Sequence, residues 1–186
     1  MHHHTNTDTR ETSMRLQARH LLGLLPLLLS LSAQAVDTGD VAPDFTLPPL
    51  RSEDGNAYIR LADFRGKVVY VDFWASWCPP CLVSIPLLDE LRNRLVAAGE
   101  PFEVLAINVD SDPDDGIEFL LDEPVKYLAL RDPAGTTPAL YKVLGMPTSY
   151  LVDAQGHVRL VHTGFKRSDI VKIEEEVRKL LAEIER

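Results

Sequence analysis

The stretch "VVYVDFWASWCPPCLVSIP", Val68 to Pro86, runs from a β-branched and aromatic segment straight into two cysteines separated by two prolines. From Lys67 to Ala75 the composition is that of a strand buried on both faces. From Cys81 to Ala98 the apolar residues Val83, Leu87, Leu88, Leu91, Leu95 and Val96 recur at helical spacing, and Gly99 ends the run. The cysteine pair therefore sits where a strand hands over to a helix. Cys78 and Cys81 are the only cysteines in the chain. A structural disulfide gains stability by closing a long loop, and this pair closes almost none. The pair is better read as chemistry than as scaffolding.

Outward from this junction the pattern repeats. "FEVLAINVD", Phe102 to Asp110, is a second buried strand. A short helix is expected from Pro113 to Asp122 and a short strand at "VKYLAL". Another helix is expected from Thr136 to Leu144. "TSYLVDAQGHVRLVHTG" reads as two strands turned at Gln155-Gly156. Ser168 is placed to cap a last helix with Ile170, Ile173, Val177, Leu180 and Ile184 along one face. Upstream, "YIRLADF" holds a short strand and a helical turn. Strands alternating with helices and ending in a hairpin imply an α/β fold, a central mixed β-sheet covered by helices on both faces.

The chain has 186 residues, 45% hydrophobic and 25% charged, as expected of one globular domain. Its N-terminal part reads differently. Arg15, Arg19 and His20 precede an apolar run from Leu21 to Leu31, and Ala33-Gln34-Ala35 forms a small-x-small cleavage site. This is the pattern of a secretory signal peptide. Residues 1–35 are thus read as tail and signal, and residues 36–186 as the folded domain. The run is shorter than a spanning helix needs and Pro26 interrupts it; a retained anchor facing the periplasm is the alternative to cleavage. Met14 directly precedes the signal and competes with Met1 as the start. The formal net charge is −9. The leader carries three arginines against two acids, so the remainder is no less acidic. Such a surface repels nucleic acid and anionic membrane, so no nucleic-acid partner is expected.

C-x-x-C near a βαβ pattern is a redox signature. A helix N-terminus offers partial positive charge and free N–H donors, which favour the thiolate at Cys78. Cys81, one turn in, is sheltered until it resolves a mixed disulfide. A zinc half-site would need further Cys or His ligands, and past the leader only His157 and His162 remain. Asp72 is a carboxylate amid Val69, Val71 and Phe73. Burial raises a carboxyl pKa, and a base so tuned can take the Cys81 proton. The competing placement is a strand edge facing solvent.

"APDFTL", "GKVVYVDFWASWCPPC" and "LGMPTSYLVDAQGHV" occur in this order, and as a set they resemble the thioredoxin superfamily in its extracytoplasmic TlpA/ResA/DsbE-like branch. The resemblance runs from Asp40 to the C-terminus. It implies a thioredoxin-like fold with an N-terminal extension and a central β-α insertion near Asp112 to Leu130. It implies thiol-disulfide oxidoreductase activity of the cytochrome c maturation type, with no bound cofactor and no metal. Carried over by position, Cys78 is the attacking and Cys81 the resolving cysteine, with Asp72 as the buried acid-base group. Trp77, Met146 and Pro147 contact substrate, Pro147 in the cis form, and Pro86 is the helix kink. The implied partners are a disulfide-bearing protein substrate, apocytochrome c among them, and a membrane electron donor of the transmembrane thiol-transfer type. Two departures stand out. Ala106 replaces the lysine that partners the aspartate in thioredoxin, and Ser84 stands where many members of the branch carry a glutamate.

Pro79 and Pro80 both lack an N–H. The Cys78 thiolate then has few donors, and a poorly stabilised reduced form makes a reductant. The expectation is a reductase. The rivals are a thiol oxidase of the same fold, a copper-handling module using both thiolates, and a peroxidase, since "APDFTL" also resembles the opening of peroxiredoxins. "DSDPDDG", Asp110 to Gly116, resembles a calcium loop, but its glycine falls one place late and Leu121 stands where a bidentate Glu is needed. A capped, acid-rich helix start is the better account.

Overall fold

The computed structural model describes residues 35–51 and 57–185. The tail and signal expected over residues 1–35 fall, apart from Ala35, outside the described residues. Two short strands, β1 (Thr46–Leu47) and β2 (Ile59–Arg60), pair antiparallel and lead into a 3₁₀ turn at Leu61–Phe64. The central sheet then assembles from β3 (Val68–Trp74), β4 (Phe102–Asn108), β5 (Leu128–Arg131), β6 (Thr148–Val152) and β7 (Val158–Thr163). Their order is β5-β4-β3-β6-β7. β3, β4 and β5 run parallel, while β6 and β7 are antiparallel to their neighbours. Helices α1 (Pro79–Ala97), α2 (Pro113–Asp122), α3 (Thr136–Tyr141) and α4 (Asp169–Ile184) complete the fold.

β3 and β4 are buried along their whole length. Their side chains alternate between two apolar clusters. Tyr70, Trp74, Val104 and Ala106 join Cys81, Ile85, Leu88, Leu91 and Leu95 of α1 and Ile173 and Val177 of α4. Val71, Phe73, Leu105 and Ile107 join Tyr141, Tyr150 and the N-terminal Phe45 and Leu47 on the other face. A strand buried on both faces needs no polar alternation, which is why the sequence here is almost uninterrupted. Edge strand β5 is not left open. The Leu50 N–H bonds the Ala129 carbonyl at 2.8 Å and the Arg131 N–H bonds the Pro48 carbonyl at 3.1 Å, so the N-terminal extension covers its free backbone.

Three local expectations need correction. The buried stripe of α1 is rotated toward Ile85 and Ser84, leaving Val96 exposed. α3 stops at Tyr141 rather than Leu144, because Lys142 takes a left-handed conformation at φ 54°. Ser168 does not cap α4 with its side chain; the Asp169 carboxylate instead accepts from the Lys166 N–H at 2.8 Å. The acid-rich start of α2 is as expected, with Asp112 accepting from the Asp114 N–H at 3.0 Å.

Candidate active site

Pro79 and Pro80 open α1, where a missing N–H costs no helical bond and the fixed φ suits the first turn. This makes Cys78 the N-cap. Its Sγ accepts from the Cys81 N–H at 3.3 Å, the single donor of the first turn that the prolines leave. The two cysteines are joined as a disulfide, with Cα atoms 5.3 Å apart. Cys81 is fully buried, Cys78 nearly so, while Trp77 beside it is 65% exposed. The sulfur that presents itself is therefore framed by an exposed indole.

The loop that carries Trp77 and Cys78 is pinned from β4's end. Asp110 is buried, and its carboxylate accepts from the Ser76 N–H at 3.1 and 3.2 Å, from the Ser76 hydroxyl at 3.2 Å and from the Asn108 amide at 2.7 Å. Asn108 is held close by α2. A Cβ on Gly116 would fall 2.6 Å from the Asn108 Nδ2, so this glycine serves a close approach of helix to strand. Nothing in the spacing of "DSDPDDG" gave the Asp110 tie away; it depends on the loop after β3 folding back onto β4.

The Met146–Pro147 peptide is cis. Register places it: Phe73 pairs with Thr148, so Pro147 lies at the end of β3 from which the cysteine loop departs. The Thr148 hydroxyl donates to the Gly145 carbonyl at 2.7 Å and the Gly164 N–H to the Pro147 carbonyl at 2.8 Å, which fixes the turn. Met146 is half-buried against both clusters.

Asp72 is 1% exposed on β3, not at an edge. It points to the α1 side of the sheet, since its neighbours at two-residue spacing, Tyr70 and Trp74, pack in the cluster that contains Cys81. Its strand partners are Ala106 on β4 and Ser149 on β6. The Ser149 hydroxyl donates to Oδ1 at 2.6 Å, and Oδ2 accepts from no described residue. Burial pushes the carboxyl from its ordinary 3.8 up to about 7, against the Ser149 hydroxyl, which holds it lower. Two phenols share the surroundings. Tyr70 and Tyr127 are held well above the usual tyrosine range, first by burial and then by the Asp72 charge. Ser149 was missed in the sequence; its one signal is a hydroxyl in an otherwise apolar strand. Ser84 is fully buried and donates to the Cys81 carbonyl at 2.9 Å, so this position carries a helix-internal bond and no acid.

The comparisons with known proteins agree with this geometry. Residues 38–161 match the AhpC/TSA family. The thiol-disulfide oxidoreductase ResA of Geobacillus thermodenitrificans is 31% identical over 173 residues, covering 86% of this chain and 95% of the relative. The ResA of Oceanobacillus iheyensis is 30% identical over 126 residues, a match spanning 65% of that relative's length. Among solved structures, a Chlorobium tepidum protein assigned as thiol:disulfide interchange protein DsbE superposes with a TM-score of 0.72 at 41% identity, covering 79% of this chain and 99% of the other. The fold, the C-x-x-C pair and these likenesses lead to one conclusion: the chain belongs to the AhpC/TSA family, and it is a thioredoxin-fold thiol-disulfide oxidoreductase of the ResA/DsbE kind.

Proposed function

We propose that the protein is a reductase of substrate disulfides that works outside the cytoplasm. The observation that carries the direction is the poverty of donors at Cys78. Its sulfur has one backbone N–H, that of Cys81, where a helix start without prolines would offer more. Less stabilisation of the thiolate means less stabilisation of the reduced form, hence a more reducing couple.

The reaction runs in two displacements. The Cys78 thiolate attacks a substrate disulfide, forms a mixed disulfide and expels one substrate thiolate. Asp72 takes the proton of the Cys81 thiol. The Cys81 thiolate then attacks the Cys78 sulfur, closes the internal disulfide and releases the second substrate thiolate. A carboxyl at about 7 is matched to this task, since it is partly ionised at neutral pH yet basic enough to accept a proton. Trp77 and the Met146–Pro147 turn flank the sulfur and supply the contact surface for an extended substrate segment.

The leader-like residues 1–35 support a periplasmic location, cleaved or anchored. In that compartment the oxidised protein must be recharged by a membrane electron donor of the transmembrane thiol-transfer type. Apocytochrome c, with its paired thiols, is the favoured substrate class. The reduction potential of the Cys78/Cys81 couple tests the direction. A value near thioredoxin's, about −270 mV, is expected; one near about −120 mV makes the protein an oxidase.

A further inference from the structure

The register of the five-stranded sheet draws a single row through Asp72. Ala129 on β5 pairs with Ala106 on β4, and Ala106 pairs with Asp72 on β3. Asp72 pairs with Ser149 on β6, and Ser149 pairs with His162 on β7. Residues opposite one another share a face, so all five look toward the α1 side. Toward β5 the row is methyl groups. Toward β7 it is a hydroxyl and then an imidazole. Directly opposed antiparallel residues set their Cβ atoms about 4.5–5.5 Å apart, within reach of a serine and a histidine side chain. The Ser149 hydroxyl already contacts Asp72 at 2.6 Å. The His162 side chain is 23% exposed, while its Nε2 is buried without a hydrogen-bond partner among the described residues and lies 3.5 Å from the Asp169 carboxylate at the start of α4.

A base buried at 1% exposure has a further problem beyond taking a proton. The proton must leave before the next turnover. Ser149 on β6, Tyr70 on β3 and Tyr127 ahead of β5 interact with Asp72, Cys81 on α1 packs in the cluster on the same face, and all four are buried. Tyr70 and Tyr127 lie within the electrostatic reach of the partly exposed Asp169 and Asp89, but both phenols are held well above the usual tyrosine range. The Ser149 direction continues, across the β6–β7 register, to the partly exposed imidazole of His162. We propose that the Asp72–Ser149–His162 row, closed at its outer end by Asp169, is the route by which the Cys81 proton reaches solvent. It rests on the assignment of Asp72 as the resolving base. The steps balance. Cys81–SH gives its proton to the Asp72 carboxylate. The resulting carboxylic acid donates to the Ser149 oxygen as the Ser149 hydroxyl turns and gives its own proton to the His162 ring. The imidazolium, paired with Asp169, releases that proton to water, and the row returns to its starting state. Histidine is the side chain suited to that exchange near neutral pH. Ser149 and His162 are thus positioning and relay residues for the resolving step alone.

The reduced protein mixed with dithiobis(nitrobenzoate) reports the two displacements separately, because each releases one coloured nitrothiolate. Four variants are compared across pH: Asp72→Asn, Ser149→Ala, Ser149→Thr and His162→Ala. The first release stays within about twofold of wild type in all of them. The second slows about a hundredfold in Asp72→Asn and about tenfold in Ser149→Ala and His162→Ala. Ser149→Thr, which keeps the hydroxyl, resolves at the wild-type rate. Free imidazole restores the second release in His162→Ala and leaves Asp72→Asn slow. If Asp72→Asn alone is slow, the route is wrong and the base assignment stands. A wild-type second release in Asp72→Asn sinks both.

Discussion

Asp72 and Asp110 are two aspartates buried to the same 1% exposure, one within β3 and one just past β4. Asp110 accepts from a backbone N–H, a hydroxyl and a side-chain amide. Asp72 accepts from one hydroxyl, and its second oxygen has no described donor. The difference separates two uses of the same side chain. A carboxylate surrounded by donors is a rivet, here fixing the Ser76 loop that presents Trp77 and Cys78. At Asp72 burial raises the affinity for a proton and the single donor only partly opposes it, and proton affinity is what the resolving step needs. The same asymmetry appears across Asp72 itself, with Ala106 on one flank and Ser149 on the other.

Substitutions at these positions test the contrast. The largest effect belongs to Asp72→Asn. In the fold the carboxyl titrates at about 7 against 3.8 ordinarily, so between those values the folded protein holds the extra proton. Asp72 therefore supports the oxidised fold most below pH about 4, and that support is lost as pH rises through about 7, an effect of roughly 4 kcal/mol at its ceiling. Asp72→Asn removes this slope, and denaturant unfolding at pH 8 should find the oxidised variant the more stable protein. Asp110→Ala goes the other way. It strands the Ser76 N–H and the Asn108 amide, with an expected loss of about 3 kcal/mol and a slower first displacement at Cys78. Ser149→Ala removes the one hydrogen bond that favours the Asp72 anion. The carboxyl should move up by about one unit, seen as an upward shift of the pH midpoint of resolution. The smallest change is Ala106→Ser, which places a hydroxyl on the silent flank and should lower that midpoint by a few tenths of a unit.

Much of this was legible in the chain. Strand composition, the proline-opened helix and the spacing of the cysteines placed the sulfurs at a strand–helix junction. The lone acid in "VVYVDFW" marked Asp72, and the family resemblance marked Ala106 as its neighbour. Ser149 was not legible, because it reaches Asp72 across 77 residues through the β3–β6 pairing. Local periodicity carries no record of which strands become neighbours. Asp110 was hidden for a related reason. It sits in an acidic run whose other members face solvent or cap α2, and only the fold of the loop turns it inward. The early end of α3 depends on a left-handed Lys142, a conformation that glycine or asparagine would have announced and lysine does not.

The side-chain carboxyl of Asp72 in the oxidised protein can be followed by carbon NMR from pH 3 to pH 9, with Asp72→Asn assigning the resonance. A midpoint near 7 is the predicted result and makes Asp72 a base suited to resolving a mixed disulfide at neutral pH. A midpoint in the ordinary aspartate range, near 4, would contradict the account: Asp72 would be an ionised buried group, and the proton of Cys81 would have to go elsewhere.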